Sequence, residues 1–189
     1  MVEIYKNQIA QTEDLVEIAE MLASDSGFKK RALEYISKPY DTAKYLKGLE
    51  MPPVSFNRKG ETIYLAGNAE GGKTTAETEA TIAKCVEKGL VSAIHFISED
   101  GLFLSLLESS LVNELGFDIT SDSEIEEKDF LFAPSRYLAI VSVDEDHEND
   151  LADLFFNNGV QLILLGHVTK GELRMDDLSF GYSTDYLPE

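Results

Sequence analysis

A chain of 189 residues, 43% hydrophobic and 10% aromatic, has material for one substantial domain with a small appendage. Its 16 Lys and Arg face 35 Asp and Glu, a net charge of −19, and that field repels nucleic-acid backbones and anionic lipid. The lone Cys85 excludes an intrachain disulfide or a multi-cysteine metal site; with no signal-peptide pattern and no long apolar run, the cytoplasm is the expected compartment.

The first helix is expected in "TEDLVEIAEMLASDSG", where Leu15, Ile18, Ala19 and Leu22 recur at helical spacing, Thr12 caps the start and Gly27 lies past the end. A second short helix is expected from Phe28 to Ile36, with Phe28, Ala32, Tyr35 and Ile36 on one face and Pro39 ending it. "MPPVSFNRKG" carries turn chemistry. From Glu61 onward strands and helices alternate. "TIYLAG" reads as a strand and "TAETEATIAKCVEKG" as a helix with Ala76, Ala80, Ala83 and Val86 inward. "VSAIHFI" is a strand, and "GLFLSLLESSLVNELG" a helix apolar on nearly every side, hence buried. "GFDIT", the acidic loop "SDSEIEEKD", the strand "RYLAIVSV" and the helix "HENDLADLFFNNG" follow. "VQLILLGHV" and "GELRM" close the set, read as an antiparallel pair around the turn "TKG". The expected organisation is a helical appendage at residues 1–38 and an α/β domain at residues 39–189.

The stretch "GNAEGGKT" places Gly67, then Gly72, Lys73 and Thr74, in the P-loop spacing between a strand and a helix. In a working P-loop the backbone amides surround phosphates, the Lys neutralises charge and the Thr holds magnesium. Asp144, ending the strand "AIVSVD", stands where a second magnesium ligand would sit. The same residues serve turning and capping alone, since glycine permits positive φ and threonine caps helices.

The closing half, "LGFDITSDSEIEEKDFLF…SRYLAIVSV…LGHVTKGELRMDDLSFGY", resembles the C-terminal domain of phosphoribosylformylglycinamidine synthase, in the aminoimidazole ribonucleotide synthase-like superfamily. Upstream, "FNRKGETIYLAG" and "KGLVSAIHFISEDGLFLSLLES" resemble that family's basic-glycine turn, strand and His-Asp-x-Ser-Asp/Glu-Gly-Gly-Leu segment. The likeness runs roughly from Leu49 to Tyr182, and residues 1–38 have no counterpart in it. It implies an α/β fold, a mixed sheet with helices packed on it, in which the Gly67–Thr74 match is a shortened family connection and no P-loop. It also implies kinship with an ATP-dependent amidotransferase, using ATP and magnesium, whose sites are built largely by a preceding domain along the interface between the two.

Within the segment "HFISEDG", His95, Ser98, Glu99 and Gly101 match the family and are the candidate ligand-binding residues. Phe96 replaces an Asp and Asp100 replaces a Gly, and both changes disfavour phosphate. The plain alternative for His95 is a histidine bonded locally at a strand end. Asp118, Asp122, Glu124, Glu127 and Asp129 invite a calcium reading, but Ser123 sits where an EF-hand needs glycine, so a solvated loop is expected. His147 and His167 need no special role, Cys85 lies mid-helix, and Arg136 is expected in a salt bridge or strand-end packing. No catalytic residue and no metal ligand is assigned.

Three readings follow. The first is a non-catalytic relative of the synthase domain with a binding or assembly role in purine metabolism, forming a homodimer or docking on a separate synthase-type chain. The appended helices would supply that interface or cover the domain's own core. The second is a magnesium-dependent nucleotide hydrolase using Gly67, Gly72, Lys73 and Thr74. The third is a C-terminal fragment of an active synthase, against which Met1 and the unmatched helices speak.

Overall fold

The computed structural model describes residues 2–36, 46, 48–67 and 76–188, with side chains described from residue 6 and not at 35–36. The expectations for the side chains of Tyr35 and Ile36, and for Pro39, Gly72, Lys73 and Thr74, therefore lie outside what is described. Helices α1 (Val2–Ile9), α2 (Leu15–Ser24) and α3 (Ser26–Ile36) come first. They precede an alternation of β1 (Thr62–Ala66), α4 (Ala76–Glu87), β2 (Ala93–Phe96), α5 (Leu102–Leu111) and β3 (Gly116–Ile119). Then come α6 (Glu127–Phe132), β4 (Ala139–Val143), α7 (Glu148–Asn157), β5 (Leu162–Thr169), β6 (Glu172–Met175) and β7 (Leu178–Tyr182). No described helix is long and apolar enough to cross a membrane.

The described strands form one mixed sheet of seven, in the order β2-β4-β1-β5-β3-β6-β7. β1 is antiparallel to both β4 and β5, while β3 and β6 are parallel. This mixed α/β sheet is the architecture expected from the resemblance. The pairing of β5 with β6 is not observed: β3 lies between them, antiparallel to one and parallel to the other. The turn "TKG" thus joins two strands that never touch as a ladder. Glycine makes the insertion possible, because a Cβ on Gly116 would stand 2.1 Å from the Glu172 carbonyl oxygen and one on Gly166 would stand 1.9 Å from that of Asp118. The terminal hairpin is β6–β7, turned at Asp176 (φ +53) and Asp177, with "LSFGY" forming β7.

Two apolar cores flank the sheet. On one face Ile63, Leu65, Phe117, Ile119, Leu165 and Val168 meet α2, α3, α5 and α6; on the other, Ala66, Ile94, Ala139 and Val141 meet α4 and α7. α2 buries Leu15, Ile18, Ala19 and Leu22, as its spacing predicts, and α3 adds Phe28 and Ala32. The described apolar residues of α2 and α3 thus pack on the domain's own core. The Tyr186 hydroxyl ties them to the C-terminus, donating towards the carbonyls of Phe180 at 2.9 Å and Ala19 at 3.3 Å.

Local details differ from expectation for identifiable reasons. Asp14, not Thr12, caps α2, its Oδ1 accepting from the amides of Val16 and Glu17, because a carboxylate at that position also favours the helix dipole. Gly27 lies in the first turn of α3, and α2 stops at Asp25, whose carboxylate accepts from Phe28 N and so starts the next helix. In α4 the inward residues are Thr78, Thr81, Ile82, Cys85 and Val86; Ala76 and Ala80 are exposed, since the bulkier side chains claim the core-facing stripe. The acidic loop ends in the short helix α6. If the β3 wedge sets the sheet, Gly116→Ala will overpack backbone against backbone and cost about 2–3 kcal/mol. Urea denaturation should show this as a lowered midpoint at unchanged slope.

Candidate functional site

The carboxyl ends of β1, β2, β3 and β6 and the amino ends of β4, β5 and β7 share one end of the sheet, as the pairings require. Residues 97–101 follow β2 there, 120–126 follow β3, and 133–138 lead into β4. Leu138 joins these segments: its amide donates to Ala66 O at 3.1 Å and its carbonyl accepts from Ile97 N at 2.9 Å. Beside them a cleft of about 500 Å³ opens, lined among others by Asp122, Glu124, Arg136, Tyr137, Ile163 and Leu164. Arg136 is exposed at its edge and is not packed at a strand end, because β4 begins three residues later, at Ala139. The cleft is electronegative. Burial first, then the Asp122 charge, holds the Tyr137 hydroxyl above its ordinary range, with Arg136 opposing and Glu124 adding to the rise.

The predicted residues His95, Ser98, Glu99 and Gly101 lie along this end but face different ways. His95 is buried, its Nε2 2.6 Å from Oε2 of Glu108 on α5, a residue the sequence reading passed over. The signal was present: one acid inside a helix buried on every side must find a partner. Burial raises the Glu108 carboxyl above its ordinary range, and the His95 hydrogen bond pulls against that rise. Glu108 Oε1 is buried without a hydrogen-bond partner among the described residues. The Ser98 hydroxyl accepts from Asp100 N at 3.3 Å, and the Ser98 amide donates to Ser105 Oγ at 3.3 Å. Gly101 sits at φ +97 before α5, and a Cβ there would stand 2.8 Å from the Leu131 carbonyl oxygen. Glu99 alone of the four is exposed.

The two departures from the family pattern also find places. Phe96 is half-buried and packs against the second core. Asp100 Oδ2 lies 3.2 Å from Nη2 of Arg31, delivered by α3. The expected P-loop partner Asp144 is at the opposite end of the sheet, because β4 runs antiparallel to β1 and Val143 pairs with Thr62. It pairs with Arg58 and caps the turn Glu145–His147. A five-residue strand, about 16 Å at ~3.3 Å per residue, separates Asp144 from the end that holds Gly67. Gly67, at φ +74, donates its amide to Gln161 O at 2.9 Å, a sheet-end role. The parallel sheet that a P-loop site needs is contradicted. Among the described residues, no group of three or more His, Cys, Asp or Glu comes together to hold a metal. Asp122, from the acidic loop, instead accepts from Glu124 N at 2.9 Å and shapes its turn.

Residues 58–176, spanning this sheet end and most of the strands, match the family described as AIR synthase related protein, C-terminal domain. The chain belongs to that family. Its similar curated relatives include the phosphoribosylformylglycinamidine synthase subunit PurL of Carboxydothermus hydrogenoformans, 28% identical over 142 residues, and that of Leuconostoc mesenteroides, 29% identical over 140. Each alignment takes in 61% of this chain but only 19% and 18% of those subunits, so the chain spans about a fifth of their length. Among solved structures, T. maritima PurL complexed with ATP and with FGAR both share the fold at TM-score 0.60, with 14% and 15% identity. The match covers 75% of this chain and 28% and 30% of those chains.

The buried pair yields a prediction. Removing His95 strands a buried carboxyl, so His95→Ala should cost about 3–5 kcal/mol, while Glu108→Gln, which keeps a hydrogen-bonding end, should cost much less. Because the folded carboxyl titrates above its unfolded value, its contribution is full below the ordinary Glu range and fades as pH rises through the folded value. The stability difference between wild type and Glu108→Gln should therefore be largest in acid and decline towards neutrality in pH-dependent melts.

Proposed function

We propose that this chain is a stand-alone relative of the synthase C-terminal domain, not catalytic by itself, with a binding or assembly role linked to purine biosynthesis. In this reading residues 1–38 are a helical appendage and residues 39–189 the synthase-like domain, working in the cytoplasm. The domain forms one wall of a composite pocket, and a separate synthase-type chain supplies the other.

The observation that carries this reading is the state of the 97–101 turn. The family pattern offers a carboxylate and a glycine at two positions where this chain has a packed Phe96 and an Asp100 paired to its own Arg31. His95 is likewise committed, to Glu108. Ser98, Glu99 and Gly101 remain at the pocket wall as shape and backbone. The adjoining cleft holds Asp122 and Glu124 against Arg136, a field that opposes a polyphosphate unless cations arrive from outside. ATP and FGAR, the ligands in the PurL complexes, would in this reading need the second wall.

Melting curves in magnesium-ATP and size-exclusion chromatography with light scattering test the proposal together. The chain alone should show no ATP-induced stabilisation, and Lys73→Ala should behave as wild type. Mixed with a PurL-type subunit of the same organism, it should elute as a heteromeric complex. Lys73-dependent stabilisation, amidotransferase turnover by the chain alone, or self-association that excludes the subunit would each overturn it.

A further inference from the structure

Two features foreign to the resembled pattern meet in space. Arg31 comes from α3, which precedes the family match at residues 58–176, and Asp100 stands where the resembled pattern has glycine. Their side chains are 27% and 13% exposed, with Nη2 and Oδ2 3.2 Å apart. The inner side of the turn is already fixed: the Asp100 amide donates to Ser98 Oγ, the Gly101 amide donates to Ser98 O, and Gly101 is pressed against the backbone of Leu131 and Phe132. Its outer side is held by the guanidinium of α3. Ala32, the next residue along α3, is fully buried in the core that contains α5, so the helix cannot slide without uncovering apolar surface.

We propose that the Arg31–Asp100 pair is a latch holding α3 across the 97–101 turn, an autoinhibitory contact that a docking partner opens to reach the turn. The partner's identity, a synthase-type chain, rests on the composite-pocket reading above; the latch itself rests only on the contact. A partner with a basic group competes with Arg31 for Asp100, and that exchange swaps one ion pair for another.

Hydrogen–deuterium exchange on the full chain tests the latch without any partner. Arg31→Gln and Asp100→Asn should each speed exchange at the amides of 98–103 by about five-fold, the factor set by a partly exposed ion pair. The double variant should be no faster than either single one, and the charge-swapped Arg31→Asp/Asp100→Arg pair should return towards wild type. Unchanged exchange in the single variants, or additive effects in the double, would overturn the latch. Affinity for the PurL-type subunit supplies the second arm, in which Arg31→Gln should bind about five-fold more tightly. Faster exchange with unchanged or weaker binding would sink the inhibitory role while the composite pocket stands. Binding by neither protein would sink both.

Discussion

Helix α5 has no face left for water, and the rest of the domain is arranged around that fact. All ten of its residues are buried. A helix buried on every side cannot lie on a surface, so the sheet can satisfy only part of it. Phe103 shows what the remainder requires: its ring lies 5.4 Å from Phe132 of α6, 5.7 Å from Phe180 of β7, 6.0 Å from Tyr186 and 6.4 Å from Phe117 of β3, centroid to centroid. The N-terminal helices complete the cover, with α3 packed beside α5 and α2 laid on β7 and the closing turn. Ile18 and Leu22, fully buried in that cover, each contribute about 1.5–3 kcal/mol, enough to bind the appendage to the fold.

The same burial dictates the polar chemistry. Ser105 and Ser110 turn their hydroxyls back to carbonyls one turn earlier, and Glu108 reaches the strand-end histidine. His95, which the family pattern places at the turn, is thereby buried and bonded to Glu108. The glycine after Asp100 follows the same logic, since the start of α5 touches the backbone of α6 too closely for any side chain.

Much of this was legible in the chain. All-round apolarity gave the burial of α5, the spacing of Leu15, Ile18, Ala19 and Leu22 gave the inner face of α2, and the long run to Tyr182 gave the fold. What escaped was set by contacts distant in sequence. "VTKGEL" has the composition of a tight hairpin, and nothing local announces that β3, fifty residues upstream, will be inserted into it; only Gly116 and Gly166 hint at so close an approach. The P-loop spacing was real as spacing, but strand direction decided its meaning: antiparallel β4 carries Asp144 away from Gly67. Asp100 appeared as a loss because its partner lies 69 positions away, in the N-terminal helices.

Electrostatics then narrows what the sheet end can accept. At ~4 Å and an effective dielectric of about 20, a carboxylate and a phosphate charge repel by roughly 4 kcal/mol. Asp122 and Glu124 line the cleft, and Arg136 offsets only one of them. Arg31 cannot help while Asp100 holds it. Among the described residues, a phosphate-bearing ligand in this cleft therefore meets a net unfavourable field, whereas a basic opposing surface would find acidic partners already in place. On the composite-pocket proposal, the excess of acid that argues against nucleic acid and membrane becomes the property that selects the partner. Asp100 and Arg31, neutral as a pair, keep the adjoining turn out of that exchange until a partner's basic group takes the place of Arg31.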